Sequence, residues 1–331
     1  MRVAINGFGR IGRITMRALL KKQGVEVVAI NDLADVKTLA HLFKYDSVHR
    51  QFDGTVEPRE KENAIRFNGK DVQVFAERDP SKLPWKELGV DVVIESTGLF
   101  RDRASASSHL RAGAKQVVIS APAKDKDIPS VVLGVNDDVI DLKAEIISNA
   151  SCTTNCAGPM VKVLEDAVHV ESIFVSTIHA YTGDQRLHDS PHSDLRRARA
   201  AANSIIPTST GAAKALGRIF PHLEGHLGGA GIRVPVINGS LTDLTCIVRS
   251  DIDEAGVNAL FKAAADGPMK HILEYTDEPI VSCDIIGNPH SCIFDSELTS
   301  VIGKMVKVVG WYDNEAGYSN RMADLIVRLG K

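Results

Sequence analysis

The chain has 331 residues, of which 44% are hydrophobic and 24% charged, the composition of a folded soluble protein with room for two domain cores. Lys and Arg number 39 against 42 Asp and Glu, for a net charge of −3, so no global field exists to recruit nucleic acid or an anionic membrane. Five cysteines are too few and odd in number for a disulfide framework and read as free thiols in a reducing compartment.

Met1 and Arg2 are followed by three apolar residues, Asn6 and a glycine-rich stretch, which leaves no room for a signal peptide core. No apolar run reaches membrane-spanning length, and the expected location is the cytoplasm. Residues 2–5 and 25–30 are β-branched runs predicted as strands, with an amphipathic helix over about 10–21 between them. Further strands are predicted at 91–95, 115–120, 131–133 and 144–148. Strand, crossover and strand in this repetition predict an α/β domain with a parallel, Rossmann-type sheet.

Near residue 150 the pattern changes. A helix is predicted at 152–168, followed by a long irregular segment, 180–203, with a basic cluster at Arg196, Arg197 and Arg199. Strands predicted at 171–178, 231–236, 241–249 and 304–312, with a helix at 253–265, suggest an α+β domain with a mostly antiparallel sheet. The expected boundaries are 1–150 for the first domain and 151–314 for the second. An amphipathic C-terminal helix at 315–331, with Met322, Leu325, Ile326 and Leu329 on one face, is expected to complete the first.

Two motifs carry chemistry. Gly7, Gly9 and Gly12 form G-x-G-x-x-G after a strand and at the start of a helix, and Asp32 follows at the end of the next strand. That context is the dinucleotide fingerprint: tight turn, close backbone approach to a pyrophosphate, helix N-terminus, and an acid for the ribose hydroxyls. An aspartate there repels a 2′-phosphate and favours NAD over NADP. The second motif is SNASCTTNC at 148–156, which puts Cys152 at the start of a helix, where the dipole is expected to lower a thiol's pKa. Cys156, one turn on, lacks a second ligand pair for a metal, and no metal site is expected. Cys246, Cys283 and Cys292 read as structural. His179, at the end of an apolar run, is one of eleven histidines that spacing alone does not separate.

Taken together, NGFGRIGR at 6–13, SNASCTTNC, HAYTGDQ at 179–185, DLRRARAA at 194–201, IIPTSTGAAKA at 205–215, RVPVINGSLTDL at 233–244 and WYDNEAGYSNR at 311–321 resemble the phosphorylating glyceraldehyde-3-phosphate dehydrogenase family. The resemblance covers essentially the whole chain. It implies that Cys152 attacks an aldehyde carbon with His179 as its base, giving a thiohemiacetal, then a thioester after hydride loss to NAD, which inorganic phosphate cleaves. It implies that Thr182 and Arg233 bind the phosphate of glyceraldehyde 3-phosphate. Ser151, Thr153, Thr210 and Gly211, with Arg197, would bind the incoming phosphate. It extends the cofactor set to Arg10, Ile11, Arg78, Thr97, Ser120 and Asn314, with Tyr318 near the nicotinamide or merely packed. The 180–203 segment resembles a loop that reaches a neighbouring subunit, which implies a homotetramer.

Three departures stand out. Ser190-Pro191 replaces the Leu-Pro common in NAD-preferring members, which implies weakened discrimination against NADP. Ile232 and Ile237 beside Arg233 read as core variation. Two other readings compete: erythrose-4-phosphate dehydrogenase, whose members usually diverge in HAYTGDQ and PTSTG, and a non-catalytic NAD-binding regulatory protein, against which Cys152, His179 and Arg233 all stand.

Overall fold

A computed structural model describes residues 1–138 and 141–331. It divides into two units, one made of Met1–Val131, a short stretch ending at Ala150 and Ser319–Lys331, the other of Val132–Asp138 and Ser151–Tyr318. Among the described residues no helix is long and apolar enough to cross a membrane.

The first unit holds β1 (Arg2–Asn6), α1 (Arg10–Leu19), β2 (Glu26–Asn31), α2 (Val36–Lys44), β3 (Val56–Arg59), β4 (Ala64–Phe67), β5 (Lys70–Phe75), β6 (Val92–Glu95), α3 (Arg103–Arg111), β7 (Gln116–Ile119) and β8 (Ile146–Ser148). Its sheet runs β3-β4-β5-β2-β1-β6-β7-β8. From β5 to β8 every pairing is parallel, while β3, β4 and β5 form an antiparallel ribbon at one edge. The central strands β1 and β6 are buried almost throughout, as expected of parallel strands covered on both faces. One apolar cluster joins Ala4, Val28, Ala29 and Val93 to Leu83, Trp85 and Val90.

The apolar run 131–133 is a correction. It is buried but forms no strand: Ser130 makes only an isolated bridge to Ser148, and the Val132 N–H is taken by the Asn136 side chain. Hydrophobicity there reports burial of a turn, not an extended conformation. The edge ribbon was not predicted, because β3 reads VEPR, with a proline and two charges where alternation is expected.

In the second unit α4 (Cys152–Val168) leads into β9 (Val170–Ala180), β10 (Ile206–Thr208), α5 (Ala212–Ile219), β11 (Leu227–Val234), β12 (Ser240–Val248), α6 (Glu254–Asp266), β13 (Leu273–Thr276), β14 (Cys292–Ile302) and β15 (Met305–Tyr312). The sheet order is β10-β11-β9-β12-β15-β14-β13, with β9–β11 and β13–β14 parallel and the other four pairings antiparallel. Buried and less buried residues alternate along β12, so one face packs inward. Against the sheet lies α4, which also touches α5 and α6. The 180–203 segment is turns and bends with a single bridge, Arg186–Ala200. The last helix, α7 (Ala316–Leu329), contributes Ser319 onward to the first unit, where Asp324 pairs with Lys22 at 2.5 Å and Met322, Leu325 and Ile326 are fully buried.

Candidate active site

In the first unit the turn from β1 into α1 is dictated by its glycines. Gly7 has φ +89°, and a Cβ there would lie 2.7 Å from the Thr97 backbone nitrogen; a Cβ on Gly12 would lie 2.2 Å from the Gly7 carbonyl oxygen. Gly9 differs. It caps α1 without a side chain, and a Cβ on it would meet nothing within 4 Å, so the open space and the first N–H groups of the helix face outward together.

Beside this turn is a cleft of about 370 Å³, whose lining includes Gly7, Gly9, Asp32, Arg78, Thr97 and Leu99. Asp32 is held by the N–H groups of Phe8 (2.8 Å) and Ala34 (3.1 Å), which leaves carboxylate lone pairs for hydroxyl donors. Arg10, Ile11, Gly12 and Ser120 do not line the cleft. The Arg10 guanidinium instead grips Asp46 at 2.5 and 3.1 Å. Burial acts to raise the Asp46 carboxyl, but Arg10 and the N–H groups of His49 and Val48 outweigh it and hold the pKa at about 2. Ser120 gives its N–H to the Glu95 carbonyl.

Under the cleft lies a set of residues that sequence reasoning missed. Glu95 and His109 are completely buried against each other. The Glu95 carboxylate takes the Asn6 Nδ2–H (2.6 Å), His109 Nε2 (3.0 Å), and both the N–H (2.8 Å) and hydroxyl (2.5 Å) of Thr97. Trp85 Nε1–H can only donate, and it points at His109 Nδ1 at 3.0 Å. His109 is therefore the neutral Nε2–H tautomer, donating to Glu95. Asn31 continues the chain, donating to Asn6 Oδ1 at 2.7 Å and to the Glu77 carbonyl at 2.9 Å. Thr97 spends its hydroxyl on Glu95 and accepts from the Leu99 N–H at 3.1 Å, so what it offers the cleft is backbone.

In the second unit Cys152, the predicted nucleophile, stands at the start of α4. Ala150 takes a left-handed φ of +53° just before α4, and Ser151 caps that helix, its hydroxyl accepting the Thr154 N–H at 3.0 Å. Cys152 is thus the first helical residue, with Sγ 3.4 Å from His179 Nε2 at the end of β9. His179 Nδ1 lies 2.7 Å from the Ala180 carbonyl oxygen and 2.5 Å from Arg233 Nη1. Strand pairing sets this: β11 runs parallel to β9 with Arg233 opposite His179.

The expected lowering of the thiol pKa is corrected. Part of Cys152 remains open, yet burial of its sulfur pushes the thiol up, against the opposing pull of Arg233 and the N–H of Thr153. Burial, then the charge of Arg233, push His179 down to about 3. Tyr312, also missed, packs edge-on against His179 and bridges the Thr153 and Thr177 hydroxyls at 3.0 and 2.9 Å. Burial pushes its own phenol up.

Of the predicted anion-binding residues, Thr210 and Gly211 lie at the start of α5, with open space at Gly211. Thr210 takes the Ala212 N–H at 3.2 Å. The Thr182 N–H points to Gln185 Oε1 at 3.2 Å. Arg197 is held by Asp184 (2.6 Å) and Thr208 (2.9 Å), and Arg199 by Asp189 (2.7 Å). Asn314 Oδ1 accepts from Ser240 Oγ at 2.8 Å and the Gly239 N–H at 3.2 Å, which leaves Nδ2 to donate. Ser240 in turn accepts the Ala180 N–H at 3.1 Å. Tyr318 is buried. Ile237 is 48% exposed, so it is not the core variation expected of it. Cys246 and Cys292 are buried, their thiols pushed up by that burial, whereas Cys283 is exposed. Among the described residues no group of His, Cys, Asp and Glu could hold a metal ion.

Two family models match the chain. One, described as the glyceraldehyde 3-phosphate dehydrogenase NAD binding domain, matches residues 1–103; the other, described as the C-terminal domain of the same enzyme, matches residues 151–314. Similar curated proteins include glyceraldehyde-3-phosphate dehydrogenase 2 of Streptomyces arenae, 55% identical over 334 residues, covering 100% of this chain and 98% of the relative. The glyceraldehyde-3-phosphate dehydrogenases of Mycobacterium avium (55% over 336 residues) and Mycobacterium tuberculosis (56% over 339 residues) each cover 100% of this chain and 99% of the relative.

Proposed function

The chain belongs to the glyceraldehyde-3-phosphate dehydrogenase family, and from that premise we propose that it catalyses the reversible oxidative phosphorylation of D-glyceraldehyde 3-phosphate with NAD and inorganic phosphate. It is an oxidoreductase of glycolytic chemistry, run in either direction. The observation that carries this reading is Cys152 Sγ at 3.4 Å from His179 Nε2, in a chain that keeps Arg233 beside them.

The cleft of the first unit suits NAD. Gly9 leaves open the space a side chain would fill, the α1 N–H groups have no side-chain cap, and Asp32 keeps acceptors for ribose hydroxyls while opposing a 2′-phosphate. Bound NAD supplies the acceptor for the hydride that leaves the substrate carbon. The chain's residues do the rest. Cys152 Sγ attacks C1 of the aldehyde while its proton passes to His179 Nε2, and Ala180 holds the other ring nitrogen in place. With the protonated imidazole donating to it, the oxygen of the resulting thiohemiacetal is stabilised as charge develops. Once C1 is oxidised, phosphate attacks the Cys152 thioester and expels the thiolate, which His179 reprotonates.

Arg233 and Thr182 bind the C3 phosphate in this reading. Thr210 and Gly211 at the α5 N-terminus receive the incoming one, with Ser151, Thr153 and Arg197 around it. Asn314 donates to the nicotinamide carboxamide through Nδ2; Arg10, Ile11, Gly12 and Ser120 act through backbone or by shaping the turn. A cytoplasmic homotetramer completes the proposal, supported by Leu187, Leu195 and Ile205, which stand 76%, 82% and 68% exposed in and just beyond the 180–203 segment. The test is NADH formation from glyceraldehyde 3-phosphate with and without inorganic phosphate. Rapid turnover that needs phosphate is expected, and phosphate-independent turnover at the same rate would refute the phosphorylating reaction.

A further inference from the structure

Asn314 is gripped from within its own unit, and the protons in that grip each have one destination. It lies two positions past β15, and Ser240 at the head of β12 pairs with Tyr312 at the end of that strand. Asn238, Ser240 and Asp313 are all fully buried. The Asp313 carboxylate takes Asn238 Nδ2–H (2.8 Å), the Gly287 N–H (2.7 Å) and the N–H groups of Glu315 and Ala316 (2.9 and 2.8 Å), which fixes the chain on both sides of Asn314. Gly239 completes the frame: its φ is +89°, and a Cβ there would lie 2.3 Å from the Ser282 carbonyl oxygen. Its N–H points at Asn314 Oδ1 at 3.2 Å. A backbone N–H only donates, so that end of the amide is the oxygen. Ser240 Oγ gives the same oxygen a shorter bond, 2.8 Å, and itself accepts the Ala180 N–H at 3.1 Å. The one hydroxyl proton is therefore committed to Asn314. A flipped amide would set NH2 against a backbone N–H and take the acceptor away from Ser240.

We propose that Ser240 is a positioning residue for the cofactor: it locks the Asn314 amide with Nδ2 left to donate, so that the site selects a pyridine substituent that accepts a hydrogen bond. The inference rests on the reading above, in which Asn314 meets the nicotinamide carboxamide, and deepens it by assigning the polarity of that contact to a hydroxyl whose two bonds both run to protein groups. A carboxamide carries a donor and an acceptor and can turn to suit either, so only a partner of fixed polarity orients it. Ser240 also hangs from the N–H of Ala180, the residue after His179 at the end of β9. One hydroxyl thus ties the nicotinamide anchor to the strand end that carries the proposed base.

The experiment is calorimetric titration of the full-length protein with dinucleotides that differ only in the pyridine ring. NAD carries the carboxamide, its 3-acetylpyridine analogue keeps the carbonyl without the amine, its 3-aminopyridine analogue keeps an amine without the carbonyl, and ADP-ribose has no ring. The unmodified chain is expected to bind the acetyl analogue within about threefold of NAD and the amino analogue on the order of tenfold more weakly, the effect of one unmade hydrogen bond. That arm needs no variant and does not depend on how a substitution folds. Ser240→Ala is expected to weaken NAD about three- to tenfold and narrow the gap between the two analogues, while ADP-ribose stays within about twofold. In an Asn314→Ala background the same substitution should add nothing to the loss of NAD affinity. Equal binding of the two analogues by the unmodified chain overturns the assignment. So does unchanged NAD binding in Ser240→Ala, an equal loss for NAD and ADP-ribose, or a full Ser240 effect that survives in Asn314→Ala. NAD that fails to bind the unmodified chain counts against the function, whereas normal NAD binding and turnover with the wrong analogue order counts against the lock alone.

Discussion

Each unit of this chain buries a histidine beside other polar groups, and the two clusters are opposites. In the first unit, Trp85 donates to His109, and His109, Asn6 and Thr97 all donate to the Glu95 carboxylate, forming a closed set. Only one tautomer of His109 satisfies it. In the second unit, His179 Nδ1 faces both an acceptor and a donor and satisfies one at a time. A satisfied network has nothing to exchange, and its task is to hold the cleft residues Asn6 and Thr97 in place. The contested one sits against the Cys152 sulfur, which gives up a proton in the proposed reaction. Buried polar groups in natural proteins are almost always paired, so a contested atom marks a place where chemistry occurs.

Substitutions can break this contrast. The largest effect is expected for Cys152→Ser, which should lower dehydrogenase turnover by roughly 10³-fold or more while NAD affinity, measured by fluorescence titration, stays near that of the parent. Retained turnover would remove Cys152 from its role. His179→Asn should follow, with a loss of about 10²–10⁴-fold in kcat and little change in thermal stability. For the closed network the pattern should invert. Glu95→Ala strands the donors of Asn6, Thr97 and His109 at a cost of about 1–3 kcal/mol per unpaired buried group, so Tm should fall and KM for NAD rise, with kcat largely kept. A collapse of kcat at unchanged KM would make Glu95 part of the chemistry and erase the distinction between the clusters.

Smaller effects sharpen the account of the cleft. Asp32→Ala should shift the ratio of kcat/KM for NAD to that for NADP toward NADP by about tenfold or more, through loss of charge repulsion alone. The Asp46–Arg10 pair gives a pH signature: its folded-state pKa of about 2 lies below the ordinary carboxylate value, so its stabilisation is present above pH ~4 and fades as pH falls through about 2. Acid unfolding of Asp46→Asn should lack that contribution.

What could be read from the sequence was whatever the local backbone enforces. The glycine turn is legible because Gly7 needs its positive φ and Gly12 its close approach, both set within a few residues. Ser151 and Cys152 are legible because a cap and a first helical turn are neighbours in sequence. The Glu95 network is not, since its hydrogen bonds join residues 14, 24 and 89 positions apart and no local pattern announces them. Tyr312 reaches Thr177 across 135 positions. The Cys152 environment was misjudged for a related reason: a helix dipole can be read locally, whereas the burial that outweighs it comes from the assembled fold. Arg233 beside His179 became visible only through strand register.

The most direct test follows the acyl group. The protein is mixed with glyceraldehyde 3-phosphate and NAD without phosphate, and its intact and peptide masses are taken with the NADH trace. Formation of about one NADH per chain, with a 3-phosphoglyceroyl adduct on the Cys152 peptide that added phosphate discharges, is the expected result. Continued NADH production with no adduct, or an adduct on another residue, would contradict the assignment of Cys152 and His179 as the reaction centre.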